Sequence, residues 1–256
     1  MVVLKDIDTE WEKIGSSEPY WGVITDEKYK RKNLTPDLKQ EFFNSGYDYI
    51  EEIFNIISSH LDPNFTPSLG IDFGCGVGRV AIPLSKRCKQ VIGVDVSKSM
   101  LDEAKRNCVS FNTTNVEFVD DISKIKQKAD FINTVLVLQH IETKRGMQII
   151  EDLIEKLNPS GIACIHFPYA FERSLQKRVL TSLFRPIVVK SGLARKMYKR
   201  VVLKDATALF GLMYEYNITT ILKMLSRKNL NKVFIMTTKY DEKDFCAFGA
   251  LLFIKK

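Results

Sequence analysis

The sequence lacks any run of roughly 18 consecutive apolar residues, the length that a membrane-spanning helix requires. Its opening, MVVLKDIDTEWEK, sets acids where an export signal needs an unbroken apolar segment. Neither a membrane span nor export is indicated, and the expected compartment is the cytosol. The five cysteines (Cys75, Cys88, Cys108, Cys164, Cys246) are odd in number, scattered and without CxxC or Cys/His spacing. That excludes a disulfide framework and argues against a zinc site; they read as small buried apolar residues. No cluster with metal-ligand spacing stands elsewhere, so no metal is expected. A P-loop is excluded too, because no Lys followed by Ser or Thr closes the one glycine-rich turn.

What is present is enough for a sizeable core: 256 residues, 45% of them hydrophobic. The net charge of +7 is unevenly placed. Between Phe171 and Lys204 stand ten Lys or Arg against the single acid Glu172, so this segment carries +9 and the rest of the chain −2. The basic character belongs to one stretch, and an anionic partner is to be sought there.

Along the chain, residues 5–35 are polar and aromatic with no clean period. From Phe43 the apolar residues Tyr47, Ile50, Phe54, Ile57 and Leu61 follow at spacings of four and three, one face of an amphipathic helix that Asp62, Pro63 and Asn64 end. Leu69 to Phe73 predicts a buried strand, IDFGCGVGR a glycine turn, and Val80 to Arg87 a helix that tolerates Pro83 near its start. Val91 to Asp95 predicts a strand, and Ser97 caps a helix through Cys108. Strands follow at Val116 to Val119 and Ala129 to Leu136, then a helix from Gly146 to Leu157, a turn at Asn158 to Gly161, and a strand from Ile162 to Phe167. Alternating strands and helices imply a parallel sheet covered on both faces, with ligands at the carboxyl ends of the strands. Beyond the basic segment, Ile218 to Leu225 is helical. Lys232 to Thr238 and Cys246 to Ile254 then form an antiparallel hairpin around the polar loop TKYDEKDF.

The glycine turn does not fit a dinucleotide site. GxGxxG counted from Gly74 needs glycine at position 79, where Arg79 stands; the actual pattern is Gly74, Gly76, Gly78, with Cys75 between the first two. Asp95, ending the second strand, is placed to accept from both hydroxyls of an unphosphorylated ribose. Asp120 and Asp121 follow the third strand, where an acid can accept from an adenine amine and Ile122 can offer its backbone. Together these point to an adenosine group without a diphosphate.

The segments IDFGCGVGR, VIGVDVS, VEFVDD, ADFINTVLVLQHI and LNPSG resemble the successive motifs of the class I S-adenosylmethionine-dependent methyltransferases, motif by motif over Leu69 to Phe167 and by pattern over Ile218 to Lys256. The resemblance implies an α/β fold: a Rossmann-like, seven-stranded, mostly parallel sheet with an antiparallel terminal hairpin. It implies that Asp72, Gly74, Cys75, Gly76 and Gly78 shape the pocket for the methionine part of S-adenosylmethionine, that Asp95 binds the ribose, that Val96 and Met100 flank the adenine, and that Asp120 or Asp121 with Ile122 reads its edge. EPYWGVITDEKYKR resembles the lead-in of a bacterial subgroup that modifies glycans or small molecules, in which the lead-in covers the cofactor, so Tyr20 and Trp21 are candidate lid residues. The expected organisation is a helical lid over residues 1–62 and a methyltransferase core over 63–256, with a basic helical insert at 170–205 as substrate cap.

Each assignment has a plainer rival. The two aspartates serve equally as a solvated loop pair, and Tyr20 and Trp21 as core aromatics. His140, where the fourth strand gives way to its loop, and His166, at the end of the fifth, are candidate general bases or structural hydrogen-bonders. Tyr214 and Glu215 are further catalytic candidates. An amine acceptor needs no base, whereas a sugar or phenol hydroxyl gains from one. No Asn-Pro-Pro motif is present, which weakens nucleic-acid or protein amide N-methylation. The leading function is a small-molecule or glycan O-methyltransferase. Residues 171–204 are read as recognising an anionic acceptor, such as a nucleotide-linked or lipid-linked sugar, as touching a membrane surface, or equally as a solvated helical lid with ordinary Lys and Arg. RNA methylation, supported only by the basic segment, and a non-catalytic cofactor-binding protein are the alternatives.

Overall fold

A computed structural model describes residues 4–173, 213–242 and 245–256. The expected basic insert lies outside the described residues, apart from 170–173, which belong to a strand. Five parallel strands, β1 (Leu69–Phe73), β2 (Gln90–Val94), β3 (Val116–Val119), β4 (Ala129–Thr134) and β5 (Leu157–Arg173), and the antiparallel pair β6 (Lys232–Glu242) and β7 (Phe245–Lys255) form one sheet in the order β3-β2-β1-β4-β5-β7-β6. This is the expected mostly parallel, Rossmann-like sheet with an antiparallel terminal hairpin. The order reverses between β1 and β4, and ligands of open α/β sheets bind at such a switch point.

The helices are α1 (Leu4–Ser17), α2 (Pro19–Val23), α3 (Pro36–His60), α4 (Ala81–Leu84), α5 (Lys98–Ser110), α6 (Thr143–Glu155) and α7 (Ile218–Leu225). Side chains alternate between the two sheet faces. Ile71, Ile132, Ala163 and Ile165 pack with Ile150, Leu153 and Ile154 of α6 and Ile221 of α7. Phe131, Cys164 and Phe253 pack on the other face with Ile50, Ile53 and Ile57 of α3. Among the described residues no helix is long and apolar enough to cross a membrane.

Several boundaries depart from the sequence-based expectation. Helix α3 begins at Pro36 rather than Phe43, because Thr35 accepts from the Leu38 N–H and Pro36 fits the first turn; capping, not apolar period, sets its start. The expected Val80 to Arg87 helix is α-helical only over Ala81–Leu84. Beyond Pro83 the backbone tightens, with N–H groups of Ser85, Lys86 and Arg87 bonding three residues back. Strand β4 stops at Thr134, and Leu136 takes a left-handed φ of 61°. The turn at Asn158 to Gly161 does not precede β5 but sits inside it as an irregularity: Ala129 pairs with Leu157 and Phe131 with Ile162, Ser160 adopting φ 65°. The hairpin is longer than expected, since most of TKYDEKDF is strand, with Tyr240 opposite Ala247.

Candidate functional site

A cavity of about 360 Å³ opens at the carboxyl ends of β1, β2 and β4. Its floor is the glycine turn. Gly74, Gly76 and Gly78 all take positive φ (76°, 51° and 88°), a region that side-chain-bearing residues avoid. A Cβ on Gly74 would lie 2.2 Å from Val137 Cγ2, and one on Gly76 2.6 Å from Val23 Cγ2. The turn is tied to β2: the N–H groups of Gly74 and Cys75 donate to Val94 O, and that of Gly76 to Asp95 Oδ2 at 2.9 Å. Cys75 lines the cavity; Gly78 shapes the turn without lining it.

Asp95 Oδ1 also accepts from the Ser97 N–H at 2.9 Å. Burial pushes its carboxyl up to about 6 against the pull of these two N–H groups. Asp72 is buried at 2% exposure; its Oδ1 accepts from Asn133 Nδ2 at 2.9 Å, and its Oδ2 has no hydrogen-bond partner among the described residues. Burial raises its carboxyl to about 6, opposed by Asn133, Arg79 and the nearby Ala81 N–H and reinforced by the charge of Asp95. Arg79 is itself buried at 7% exposure and lines the cavity, with Nη1 near Ser45 O and Nε lacking a partner among the described residues.

Val96, Met100, Asp120, Asp121 and Ile122 line the other end. Val96 is an apolar residue left exposed at the rim. Asp121 caps the short turn after β3 through the Ser123 N–H at 2.7 Å, and Asp120 pairs with Lys124. Helix α1 closes over this end. Ile7, Asp8 and Trp11 face the cavity, and Glu12 accepts from Ser97 Oγ, the Ser99 N–H and Ser99 Oγ at 2.9, 3.1 and 2.5 Å. On the opposite rim Asp8 pairs with Arg145 of α6 at 3.1 Å. Of α2, Gly22 and Val23 line the cavity. Tyr20 and Trp21 lie outside the lining, both buried, Tyr20 hydrogen-bonded to Glu103 and Asn107 and Trp21 under the Lys30 ammonium.

His140 lines the cavity in a one-turn 3₁₀ segment, its ring 5.0 Å from that of Trp11 at 71°. Burial lowers its pKa to about 4, so the imidazole is neutral at pH 7. His166 does not line it; its Nε2 lies 3.5 Å from Thr238 Oγ1, and burial also lowers it to about 4. Tyr214 and Glu215 are likewise outside the lining. The Tyr214 N–H donates to Gln139 O, and Glu215 Oε1 accepts from the Phe171 N–H at 3.0 Å. Sequence reasoning missed Arg79, Trp11, Asp8 and Arg145. Arg79 had a signal, a cation closing a glycine turn, but it was weighed only as a missing glycine.

The sheet order, the glycine turn and the acid after β2 define the class of proteins with a nucleoside-binding α/β site. Residues 71–161 match the family model of the methyltransferase domain. A probable cobalt-precorrin-6B C(15)-methyltransferase (decarboxylating) of Methanococcus vannielii is 37% identical over 97 residues, 36% of this chain and 47% of that protein. A 23S rRNA (uracil(1939)-C(5))-methyltransferase of Legionella pneumophila is 30% identical over 101 residues, 37% of this chain and 22% of that protein. The chain thus spans about half or less of the length of these relatives. In fold it is similar to magnesium protoporphyrin IX methyltransferase of Synechocystis with bound S-adenosylhomocysteine (TM-score 0.60, 19% identity, 96% of this chain and 99% of that one). It is also similar to an N-methyltransferase of Bradyrhizobium japonicum in complex with the same molecule (TM-score 0.57, 14% identity, 96% and 98%). Residues 71–161 thus match a methyltransferase domain, and the sheet order is that of the solved methyltransferases named above; relatives as different as these define no subgroup.

Proposed function

We propose that the cavity holds S-adenosylmethionine and that the protein transfers its methyl group to a hydroxyl of a small molecule or glycan. The observation that carries the cofactor assignment is one cavity lined by Asp72, Arg79 and Asp95, where the buried Asp72 Oδ2 and Arg79 Nε have no hydrogen-bond partner among the described residues and Asp95 follows β2. An ammonium, a carboxylate and a ribose diol complement these three groups, and the glycine turn leaves room for backbone contact. The residues present therefore fit the group, and similar folds with bound S-adenosylhomocysteine support the same assignment.

When bound, S-adenosylmethionine supplies a methyl group on a sulfonium for in-line displacement. The chain's own contribution is to orient, to exclude water and to handle the acceptor's proton. Asp72 and Arg79 hold the two ends of the amino acid part, Asp95 the ribose, and Val96, Met100 and Ile122 the adenine. Asp120 and Asp121 stand at its edge. Helix α1 and the Gly22–Val23 step form the lid, so that within residues 1–62 the covering role falls on the first two helices; Tyr20 and Trp21 support it from below. His140 stands at the cavity wall where an acceptor's hydroxyl proton could be taken, and this position, not its basicity, which burial lowers, is what supports an O-acceptor. The +9 segment suits an anionic one, a nucleotide-linked or lipid-linked sugar. Five free cysteines, four of them buried, suit the reducing cytoplasm. A second reading, RNA methylation, draws on the same segment and on the rRNA-modifying relative; steep salt dependence of RNA binding would select it.

Titration calorimetry with S-adenosylmethionine tests the cofactor assignment. Binding is expected for the wild type, and Asp95→Ala should weaken it by about tenfold or more, the loss of a charged hydrogen-bond acceptor. Absence of binding, or full affinity in the variant, overturns it. A screen of sugar-nucleotide acceptors that detects S-adenosylhomocysteine tests the acceptor class.

A further inference from the structure

The carboxylate of Asp72 is held by residues that do not themselves reach the cavity. Asp72 on β1 and Asn133 on β4 are register partners on adjacent parallel strands, so their side chains lie side by side on one face of the sheet. Tyr49, on the α3 surface that covers this face, donates its hydroxyl to Asn133 Oδ1 at 2.8 Å; Asn133 Nδ2 donates in turn to Asp72 Oδ1 at 2.9 Å. Neither Tyr49 nor Asn133 lines the cavity, and Asn133 is fully buried.

The chain of bonds has a direction. An ionised carboxylate only accepts, so the amide turns its NH₂ to Asp72 and its oxygen to Tyr49, whose hydroxyl then donates to it, with Cys164 Sγ also 3.9 Å from that hydroxyl. Oδ1 of Asp72 is thereby engaged, and Oδ2 is left as the buried oxygen without a partner among the described residues, on a residue that lines the cavity. A buried carboxylate oxygen in that state is costly unless a ligand brings a donor. Tyr49 touches the second charged group of the site as well, since the Arg79 guanidinium lies 6.0 Å from its ring centroid.

We propose that Tyr49 and Asn133 are positioning residues that fix the Asp72 carboxylate so that Oδ2 receives the ammonium of the bound amino acid group. The proposal rests on the reading that the cavity holds S-adenosylmethionine. Without the phenol proton, Asn133 Oδ1 is a buried acceptor without its donor, and the amide is held in place only from the Asp72 side. Recognition of the ammonium should then fail while the nucleoside end of the cavity is untouched.

Three ligands separate these effects in calorimetry: S-adenosylhomocysteine, its deamino analogue, which keeps the carboxylate, and 5′-methylthioadenosine, which lacks both charged groups. In the wild type the affinity ratio of the first to the second measures the ammonium's contribution. Tyr49→Phe, which keeps the ring in place, and Asn133→Leu should each lower that ratio by about fivefold to tenfold, the size of one hydrogen bond at a charged group. Affinity for methylthioadenosine should stay within about twofold, and Asp72→Asn should set the floor of the ratio. An unchanged ratio in Tyr49→Phe, or an equal loss for all three ligands, overturns the proposal, the second outcome marking a merely structural role. If the wild type binds none of the three, the cofactor reading itself fails; if it binds and only Asp72→Asn alters the ratio, the cofactor reading stands and the positioning role falls.

Discussion

Asp72 and Asp95 stand in one cavity, and burial raises both carboxyls to about 6. A folded-state value above the ordinary 3.8 means that folding favours the protonated form. That stabilisation is complete below about pH 4 and is lost as pH rises through about 6. Ligand binding runs the other way, because an ammonium needs the ionised carboxylate. Affinity for S-adenosylhomocysteine should therefore rise between pH 5 and 7, by up to about tenfold per pH unit per group below 6, while the melting temperature of the ligand-free protein falls over the same interval. His140 and His166, lowered to about 4, stay neutral throughout and add nothing to either slope. Calorimetry and melting curves at pH 5, 6 and 7 check this, and in Asp72→Asn both slopes should flatten; identical slopes in variant and wild type would exclude Asp72 as their source. Asp95 was legible in the sequence because a strand followed by an acid fixes where the carboxylate points. The partnerless oxygen of Asp72 was not, since it depends on an amide 61 positions away in sequence, on a neighbouring strand.

Helix α1 spans two rims of the cavity, and its two attachments differ in kind. Glu12 accepts three hydrogen bonds at the amino end of α5, where the helix dipole also favours an anion, whereas Asp8 and Arg145 form a partly exposed ion pair. Exposed pairs contribute about 0–1 kcal/mol, and hydrogen bonds to a charged group about 1.5–3 kcal/mol each where water is excluded. Glu12→Ala should weaken cofactor binding by about tenfold and speed amide hydrogen exchange over residues 7–17, leaving the protection of β1 and β4 intact; Asp8→Asn should change both by less than about threefold. Hydrogen exchange read by mass spectrometry, with calorimetry, checks the ranking, and equal effects of the two variants would refute it. Strands β1, β2 and β4 were readable because buried parallel strands are nearly continuous apolar runs, whereas β3, at the sheet edge, was readable from Val116, Phe118 and Val119 around an exposed Glu117. Helix α1 was not, although Ile7, Trp11 and Ile14 recur at spacings of four and three and Ile14 packs into a core cluster: the acids Asp6, Asp8, Glu10 and Glu12 alternate through the helix and mask that stripe. The length of β6 was hidden for a related reason: a paired strand at a sheet edge tolerates Lys239, Tyr240 and Asp241.

At the scale of the whole molecule the charge is divided: +9 in residues 171–204 and −2 elsewhere. Most of that segment lies outside the described residues, but its attachment points do not. It leaves the sheet at the end of β5, and the chain returns at residues 213–217, which are bonded to the wall that carries His140. The Tyr216 hydroxyl meets Leu138 O and Ile141 O at 3.0 and 2.9 Å, the Tyr214 N–H reaches Gln139 O, and the Tyr216 N–H reaches Pro168 O. The cofactor groups on β1 and β2 belong to the part of the chain with little net charge, and the positive charge belongs to the segment alone. Reversing Lys196, Lys199 and Arg200 to glutamate should raise the acceptor's KM by about tenfold at low salt and remove most of its dependence on ionic strength. The affinity for S-adenosylmethionine should stay within about twofold, because none of the groups proposed to hold it belongs to the segment. Steady-state kinetics at two ionic strengths, beside calorimetry with the cofactor, separate the two quantities. An unchanged acceptor KM would show that the segment does not recognise the acceptor through its charge, and an equal loss of cofactor affinity would move its role from the acceptor to the cofactor.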